Sequence, residues 1–236
     1  MGAGMQQWAL VADVAAIPPD YDTDADRWAS RDSTWLIAGD IHEVVAQRIA
    51  AEALHPVLDV GSGYGRLREL LPDGWPWIGI DSSPTQLSGD RVGPAVLGDA
   101  AHLPFASGTF PAVAALWMLY HLEDPIVAIE EARRVLRPAG VFFAATTSRT
   151  NDPELTNGYP PTSFDAEEAP ELVASVFGKS SIEVITWDAP LVRLHDRAAI
   201  ERYLRSHHLP VSTAERVRPP LTLTKRGCLI VGFRRS

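Results

Sequence analysis

Three glycines at alternate positions, Gly61, Gly63 and Gly65, follow the apolar run Val57–Val60, and a carboxylate, Asp81, closes a second apolar run twenty residues after the first glycine. Without Cβ atoms the backbone can turn tightly and let a ligand approach it, and a helix starting after the turn offers free amide groups to an anion. Asp81 could accept hydrogen bonds from two ribose hydroxyls. A further acid, Asp99, ends a third run at residues 95–99. Taken alone, the glycines fit an ordinary tight turn and Asp99 fits a helix N-cap. Together they point to a nucleotide-like ligand. A dinucleotide would fit the glycines and the acid, but its G-x-G-x-x-G fingerprint needs a glycine where Arg66 stands. A bulky side chain there hinders the packing of helix on strand.

The surrounding pattern supplies elements to hold these residues. Over positions 35–54 apolar residues recur at Ile37, Ile41, Val44, Val45 and Ile49, the period of an amphipathic helix, which Pro56 ends. Val57–Val60 reads as a strand, the next helix carries Leu67, Leu70 and Leu71, and Trp77–Asp81 is a second strand. A short helix over 84–89 precedes the third strand. Residues 112–118, apolar throughout, form a fourth strand of the kind covered on both faces. A helix over 125–136 leaves Glu130, Arg133 and Arg134 for solvent, a turn at 137–140 ends it, and 141–146 is the fifth strand. This alternation predicts an α/β, parallel, doubly wound sheet whose ligands bind beyond the carboxyl ends of its strands. The rhythm then changes to an irregular stretch at 147–161, a helix near 167–177, a strand at 182–187, a helix at 197–205 and a last strand at 227–233.

Val57-Leu58-Asp59-Val60-Gly61-Ser62-Gly63-Tyr64-Gly65 resembles the first motif of class I S-adenosylmethionine-dependent methyltransferases. Ile78-Gly79-Ile80-Asp81-Ser82-Ser83 resembles the second. Gly98-Asp99-Ala100-Ala101-His102-Leu103-Pro104-Phe105 resembles the third in the branch named methyltransferase type 11. Met118-Leu119-Tyr120-His121-Leu122, Asp124-Pro125 and Val135-Leu136-Arg137-Pro138-Ala139-Gly140 continue the pattern in order, over roughly residues 55–146. The chain departs from it at Phe110-Pro111, where Phe-Asp is usual, and at Pro138-Ala139-Gly140, where Pro-Gly-Gly is common. These departures bear on strand entry and turn detail.

The resemblance implies a Rossmann-like, mostly parallel seven-stranded sheet with an antiparallel last strand, and S-adenosylmethionine as cofactor. It implies one domain over 1–236, with an arm or lid at 1–33, a cofactor core at 55–146 and acceptor-side elements at 147–236. Gly61, Gly63 and Gly65 would shape the bend along the methionine moiety, with Asp59 ordering it. Asp81 and Ser82 would serve the ribose, Asp99 and the Ala100 backbone the adenine edge, and Trp117 and Met118 would sit by the transferring methyl group. The lid reading puts Tyr21 over the cofactor and Trp28 by the acceptor, although both could simply pack on the sheet. Tyr120 and Tyr159 are further candidates for the acceptor pocket.

Displacement at a methyl carbon activated by a sulfonium asks the protein mainly to align the partners and exclude water. If the acceptor is a hydroxyl, phenol or thiol, a base should take its proton, and His121 is the candidate; a histidine merely hydrogen-bonded in a turn is the plainer account. Arg149 could bind an acidic substrate group, though a solvated arginine is the commoner finding. Cys228 reads as a core thiol. His207 and His208 lack companions at ligand spacing, so no metal is expected.

Composition limits the alternatives. The 46% hydrophobic and 22% charged content is that of a folded chain with a core. No apolar run approaches the length of a membrane span, the first twenty residues lack a secretory pattern, and one cysteine allows no internal disulfide, so a cytoplasmic setting without a membrane partner is expected. The net charge of −9 opposes a general nucleic-acid partner. It is uneven, however: from Val192 to Ser236 ten Lys or Arg face three Asp or Glu, an excess of +7, which keeps an anionic partner in view. The first functional expectation is methyl transfer to a small molecule, such as a specialised metabolite with an aromatic or apolar body. An RNA methyltransferase, a non-catalytic cofactor-binding protein of the same fold and a nicotinamide oxidoreductase are the alternatives.

Overall fold

The computed structural model describes residues 39–88 and 93–235. Helix α1, Ile41–Ala51, begins at Asp40, whose side chain accepts the His42 amide at 2.9 Å. It is shorter than the helix expected over 35–54. Ala53 takes a left-handed φ of 51°, which stops it before Pro56, and positions below 39 lie outside the described residues. Strand β1, Val57–Val60, passes through the glycine bend into α2, Arg66–Leu70, and then β2, Trp77–Asp81. Helix α3, Pro84–Leu87, strand β3, Ala95–Leu97, strand β4, Phe110–Leu116, and helix α4, Pro125–Val135, follow. Strand β5, Leu136–Thr147, helix α5, Ala169–Phe177, strand β6, Ile182–Leu194, helix α6, Arg197–Ser206, and strand β7, Leu221–Phe233, complete the order.

Across the sheet the order is β3-β2-β1-β4-β5-β7-β6; β7 runs antiparallel to both neighbours and the other pairs are parallel. This is the expected seven-stranded, doubly wound α/β sheet. The chain moves outward from β1 to β3 and then returns to place β4 on the other side of β1, so the order reverses between β1 and β4. A crevice opens at such a reversal, on the carboxyl side of the strands.

Adjacent side chains of β4 explain why its sequence is apolar at every position. Val113 and Ala115 join Leu58, Phe142 and Ala144 under helices α4 and α5, while Ala112, Ala114 and Leu116 join Val57, Phe143 and Ala145 under α1 and α2. Successive residues of a strand face opposite ways, and here both faces are covered. Among the described residues no helix is long and apolar enough to cross a membrane.

Three further expectations change. The turn at 137–140 is absorbed into the start of β5: Leu136 pairs with Phe110, the register shifts, and Ala139, at φ 61°, donates its amide to the Arg234 carbonyl at 2.9 Å. Strands β6 and β7 each extend well beyond the expected 182–187 and 227–233, because they pair with one another past the end of β5. Arg134 is not left to solvent. It donates to the carbonyls of Leu103 and Phe105 at 2.9 and 2.8 Å, while Glu131 accepts the Leu103 amide at 2.9 Å, so α4 clamps the 99–105 segment. The Arg134 guanidinium in turn holds the Glu131 carboxyl below its ordinary range.

Cys228 lies in the core beneath α5, where burial, reinforced by the Glu167 and Asp165 charges, pushes its thiol up to about 12. An aromatic disulfide reagent should leave the native protein unmodified and titrate one thiol in denaturant, read by absorbance. Rapid native labelling would contradict this packing.

Candidate functional site

The ends of three neighbouring strands meet at Asp81. Its Oδ2 accepts the Gly63 amide at 2.8 Å, its Oδ1 accepts the Ser83 amide at 2.9 Å, and its backbone carbonyl accepts the Gly98 amide at 2.9 Å. The β1 bend, the end of β2 and the residue after β3 are thereby held in one arrangement. An ionised carboxylate has about four acceptor sites, so two remain for hydroxyl donors after the two amides.

The bend has a steric requirement. Gly61 has φ 68°, and a Cβ there would lie 2.6 Å from Cβ and Cγ of Met118, beyond the end of β4. Gly79 in β2 serves the same bend from below, since a Cβ on it would come within 2.5 Å of the Ser62 hydroxyl. Gly65, at φ 96°, is the residue from which α2 starts. The bend's own amides are less available than expected. Gly61 and Ser62 donate to the Ile80 carbonyl, Gly63 to Asp81 and Gly65 to the Ser62 carbonyl, because the turn folds back on β2. Arg66, at the position that weighed against a dinucleotide, pairs with Asp40 at 2.9 Å and Glu69 at 3.1 Å.

Around Asp81 lies a cleft of about 240 Å³ lined by Gly61, Gly63, Asp81, Ser82, Asp99 and Ala100, with Trp117, Met118 and His121 across it. Asp59 and Gly65 stand behind this surface; Asp59 is a buried β1 residue. Asp99 accepts the Ala101 amide at 2.9 Å and approaches His102 Nδ1 at 3.1 Å, so its side chain also shapes its own turn. His121 lies in a single helical turn after β4, its ring tilted against Tyr120 with centroids 4.4 Å apart. Tyr120 itself packs on the α4 side of the core and does not line the cleft. Tyr21 and Trp28 lie outside the described residues.

Ser83, Gly98 and Leu122 also line the cleft and were not singled out from the sequence. Ser83-Pro84-Thr85-Gln86 has the spacing of a helix cap, and Ser83 Oγ does accept the Gln86 amide at 3.1 Å. That signal could have placed Ser83 beside Asp81.

Trp117 also belongs to a second, smaller cavity of about 80 Å³ with Ile41, Trp187, Leu191 and Lys225. Tyr159 lines neither cavity. Its hydroxyl donates to Asp152 at 2.7 Å, in a buried group that includes Tyr203 and Lys225. Arg149, considered for an acidic substrate or for solvent, instead pairs with Asp165 at 2.6 Å and Glu168 at 2.5 Å.

Burial pushes the Asp59 carboxyl up to about 7. The nearby Asp81 charge adds to this, while the Trp77 indole, close by without an aligned hydrogen bond, opposes it. A carboxyl whose folded pKa is raised contributes stability at low pH that is lost as pH climbs from about 4, its unfolded value, through about 7. Asp59→Asn cannot titrate. Its denaturation midpoint relative to the native sequence should therefore rise between pH 5 and pH 8. A difference independent of pH would contradict the raised pKa.

A family model described as a methyltransferase domain matches residues 58–144. A ubiquinone/menaquinone biosynthesis C-methyltransferase, UbiE, from Ralstonia pickettii is 30% identical over 176 residues, covering 68% of this chain and 70% of that protein. The corresponding UbiE of Cupriavidus pinatubonensis is 28% identical over 191 residues, covering 71% and 77%. Among solved structures, a protein of an antibiotic biosynthesis pathway in Anabaena variabilis shares the fold with a TM-score of 0.57 at 16% identity, covering 85% of this chain and 99% of that one.

Proposed function

Because the chain belongs to the class I S-adenosylmethionine-dependent methyltransferases of the type 11 branch, we propose that its cleft holds S-adenosylmethionine and that it methylates a small molecule with an apolar or aromatic body. The observation that carries this reading is the convergence on one cleft of the Gly61 and Gly63 bend, Asp81 and Asp99 from three adjacent strand ends. The residues present fit the group. Asp81 retains acceptor sites for two ribose hydroxyls, and Gly63 puts no side chain into the cleft beside it, which leaves room for an aliphatic chain. Ser82 would flank the ribose, and Asp99 with the Ala100 backbone would face the adenine.

S-adenosylmethionine, when bound, supplies a methyl carbon made electrophilic by its sulfonium. The rest is done by the protein's own groups. Trp117 and Met118 wall the cleft beyond β4, where they would shield the methyl group from water, and an indole face would suit the neighbouring cation. For a hydroxyl, phenol or thiol acceptor, His121 is the base, placed on the same wall. The cytoplasm is the proposed setting, since a lone buried thiol suits a reducing compartment.

The basic excess of residues 192–236 gives the RNA reading little support, because much of it serves the fold. Arg234 donates to the carbonyls of Arg133 and Arg134 at 2.9 Å and to that of Leu136, at the end of α4. Arg197 donates to the Ala214 carbonyl, Arg235 to that of Ser180, and Arg226 pairs with Asp188 at 3.1 Å.

Calorimetry should show S-adenosylhomocysteine binding and NAD producing no heat. Asp81→Ala should weaken the former by about a hundredfold, as expected for losing two hydrogen bonds to a charged group. Comparable heat from NAD, or unaltered affinity in the variant, would overturn the assignment of the cleft.

A further inference from the structure

Strand β5 last pairs with β7 at Thr147 and Gly227, yet β6 and β7 go on pairing from Asp188 with Arg226 to Leu194 with Leu221. Since β6 runs parallel to β5, this two-stranded ribbon rises on the carboxyl side of the sheet, the side of the cleft. It carries α6 and a small core of its own around Leu194, Ile200, Leu204 and Leu223. The segment after β5 takes up the ribbon's open edge: Ser148 donates to the Arg226 carbonyl, Asp152 to the Thr224 carbonyl, and Asn151 accepts the Arg226 amide, all at 2.9–3.1 Å.

The second cavity sits where this ribbon meets the cleft, and Trp117 lines both spaces. Resting on the methyl-transfer reading, we infer that this cavity is the acceptor's ring pocket and that it takes a neutral, single, flat apolar ring. Three independent observations carry the inference.

The first is the shape of the walls. Trp117 and Trp187 meet edge to face, with centroids 5.9 Å apart and planes at 70°, and Ile41, Leu191 and Val192 add apolar surface, with Thr147 and Asn151 beside them. An indole corner of this kind offers a ring one face and one edge. An engineered cavity of about 150 Å³ accepts benzene; at about 80 Å³ this space is about half as large, so it admits at most one ring, inserted part-way with the rest reaching into the adjoining cleft.

The second is where the charges go. Lys225 and Arg226 both border the cavity, but their heads are turned to protein partners. Lys225 Nζ lies 2.8 Å from Asp152 Oδ1 and 2.6 Å from the Tyr203 hydroxyl, and Arg226 serves Asp188 and the Thr150 carbonyl. Their stems therefore cover the wall as methylene groups. Asp152 is fully buried and also accepts from Asn151, Tyr159 and Tyr203, so the ion pair is satisfied from every side. A buried network so complete is a rigid support, and its Lys225 ammonium does not call for an anion.

The third is strain. Trp117 has φ 60°, in the left-handed region that costs such a bulky residue roughly 1–2 kcal/mol. It is the wall that this cavity shares with the cleft. Strained residues persist where the surroundings fix a side chain for use.

The test uses the full chain loaded with S-adenosylhomocysteine, and two single-ring probes followed by ligand-observed NMR: p-cresol, neutral, and 4-hydroxybenzoate, anionic. Cresol should bind, and 4-hydroxybenzoate should bind more weakly. Trp187→Ala should weaken cresol by about tenfold, the size expected for removing an aromatic anchor. Leu191→Asp, which leaves the indole corner in place, should do the same. Neither should alter S-adenosylhomocysteine affinity by more than about twofold, since both sites lie outside its cleft. Absence of cresol binding, binding indifferent to both substitutions, or preference for the anion would overturn the ring pocket while leaving the cofactor cleft standing. Failure of S-adenosylhomocysteine to bind the unmodified protein would bring down the methyl-transfer reading first, and the pocket with it.

Discussion

The arrangement depends on one carboxylate serving as a junction. Asp81 accepts amides from Gly63 and Ser83 with its two oxygens, and its carbonyl takes the Gly98 amide, so the carboxyl ends of β1, β2 and β3 are locked into one surface. A charged acceptor makes stronger hydrogen bonds than a neutral one, and sharing it between two loops makes each position the other. The bend can then lie close to β2 only because Gly79 has no side chain, and close to the end of β4 only because Gly61 has none. The cleft is thus a consequence of backbone geometry held by a single side chain.

Support for the Asp99 side of the cleft comes from a second charge cluster, on α4. Arg134 and Glu131 of α4 reach three backbone groups of the 99–105 segment, which has little regular structure of its own. The Trp117 side is supported differently. There a ribbon continues where the sheet has ended, and a buried lysine-aspartate pair with two tyrosine hydroxyls ties it to the segment after β5. Burying such a pair is costly unless every donor and acceptor is met. Meeting them draws Tyr159 and Tyr203 to Asp152 and away from the cavities.

The same economy governs the basic C-terminal third. Arginine side chains with several donors are well suited to helix ends that leave carbonyls unsatisfied, and Arg234 fills that role at α4. Part of the positive charge in this stretch of sequence is therefore taken up by structural contacts.

What the sequence by itself determined is local and periodic. The alternation of apolar runs with amphipathic helices, the glycine bend and the acids at strand ends are set by residues close together in the chain, and they give the doubly wound sheet and the placement of Gly61, Asp81 and Asp99 at its carboxyl side. Trp117, Met118 and His121 followed from their order in the motif pattern. Only the tertiary structure decided how far β6 and β7 extend, that Arg134 and Arg149 turn to carbonyls and carboxylates, that Tyr120 and Tyr159 line neither cavity, and that Trp187, Leu191 and Lys225 share a space with Trp117. The physical reason is range. Periodicity reports which face of an element is buried, whereas a hydrogen bond such as Lys225 to Asp152 joins residues 73 positions apart, and no local signal carries the identity of a partner that only folding brings within reach.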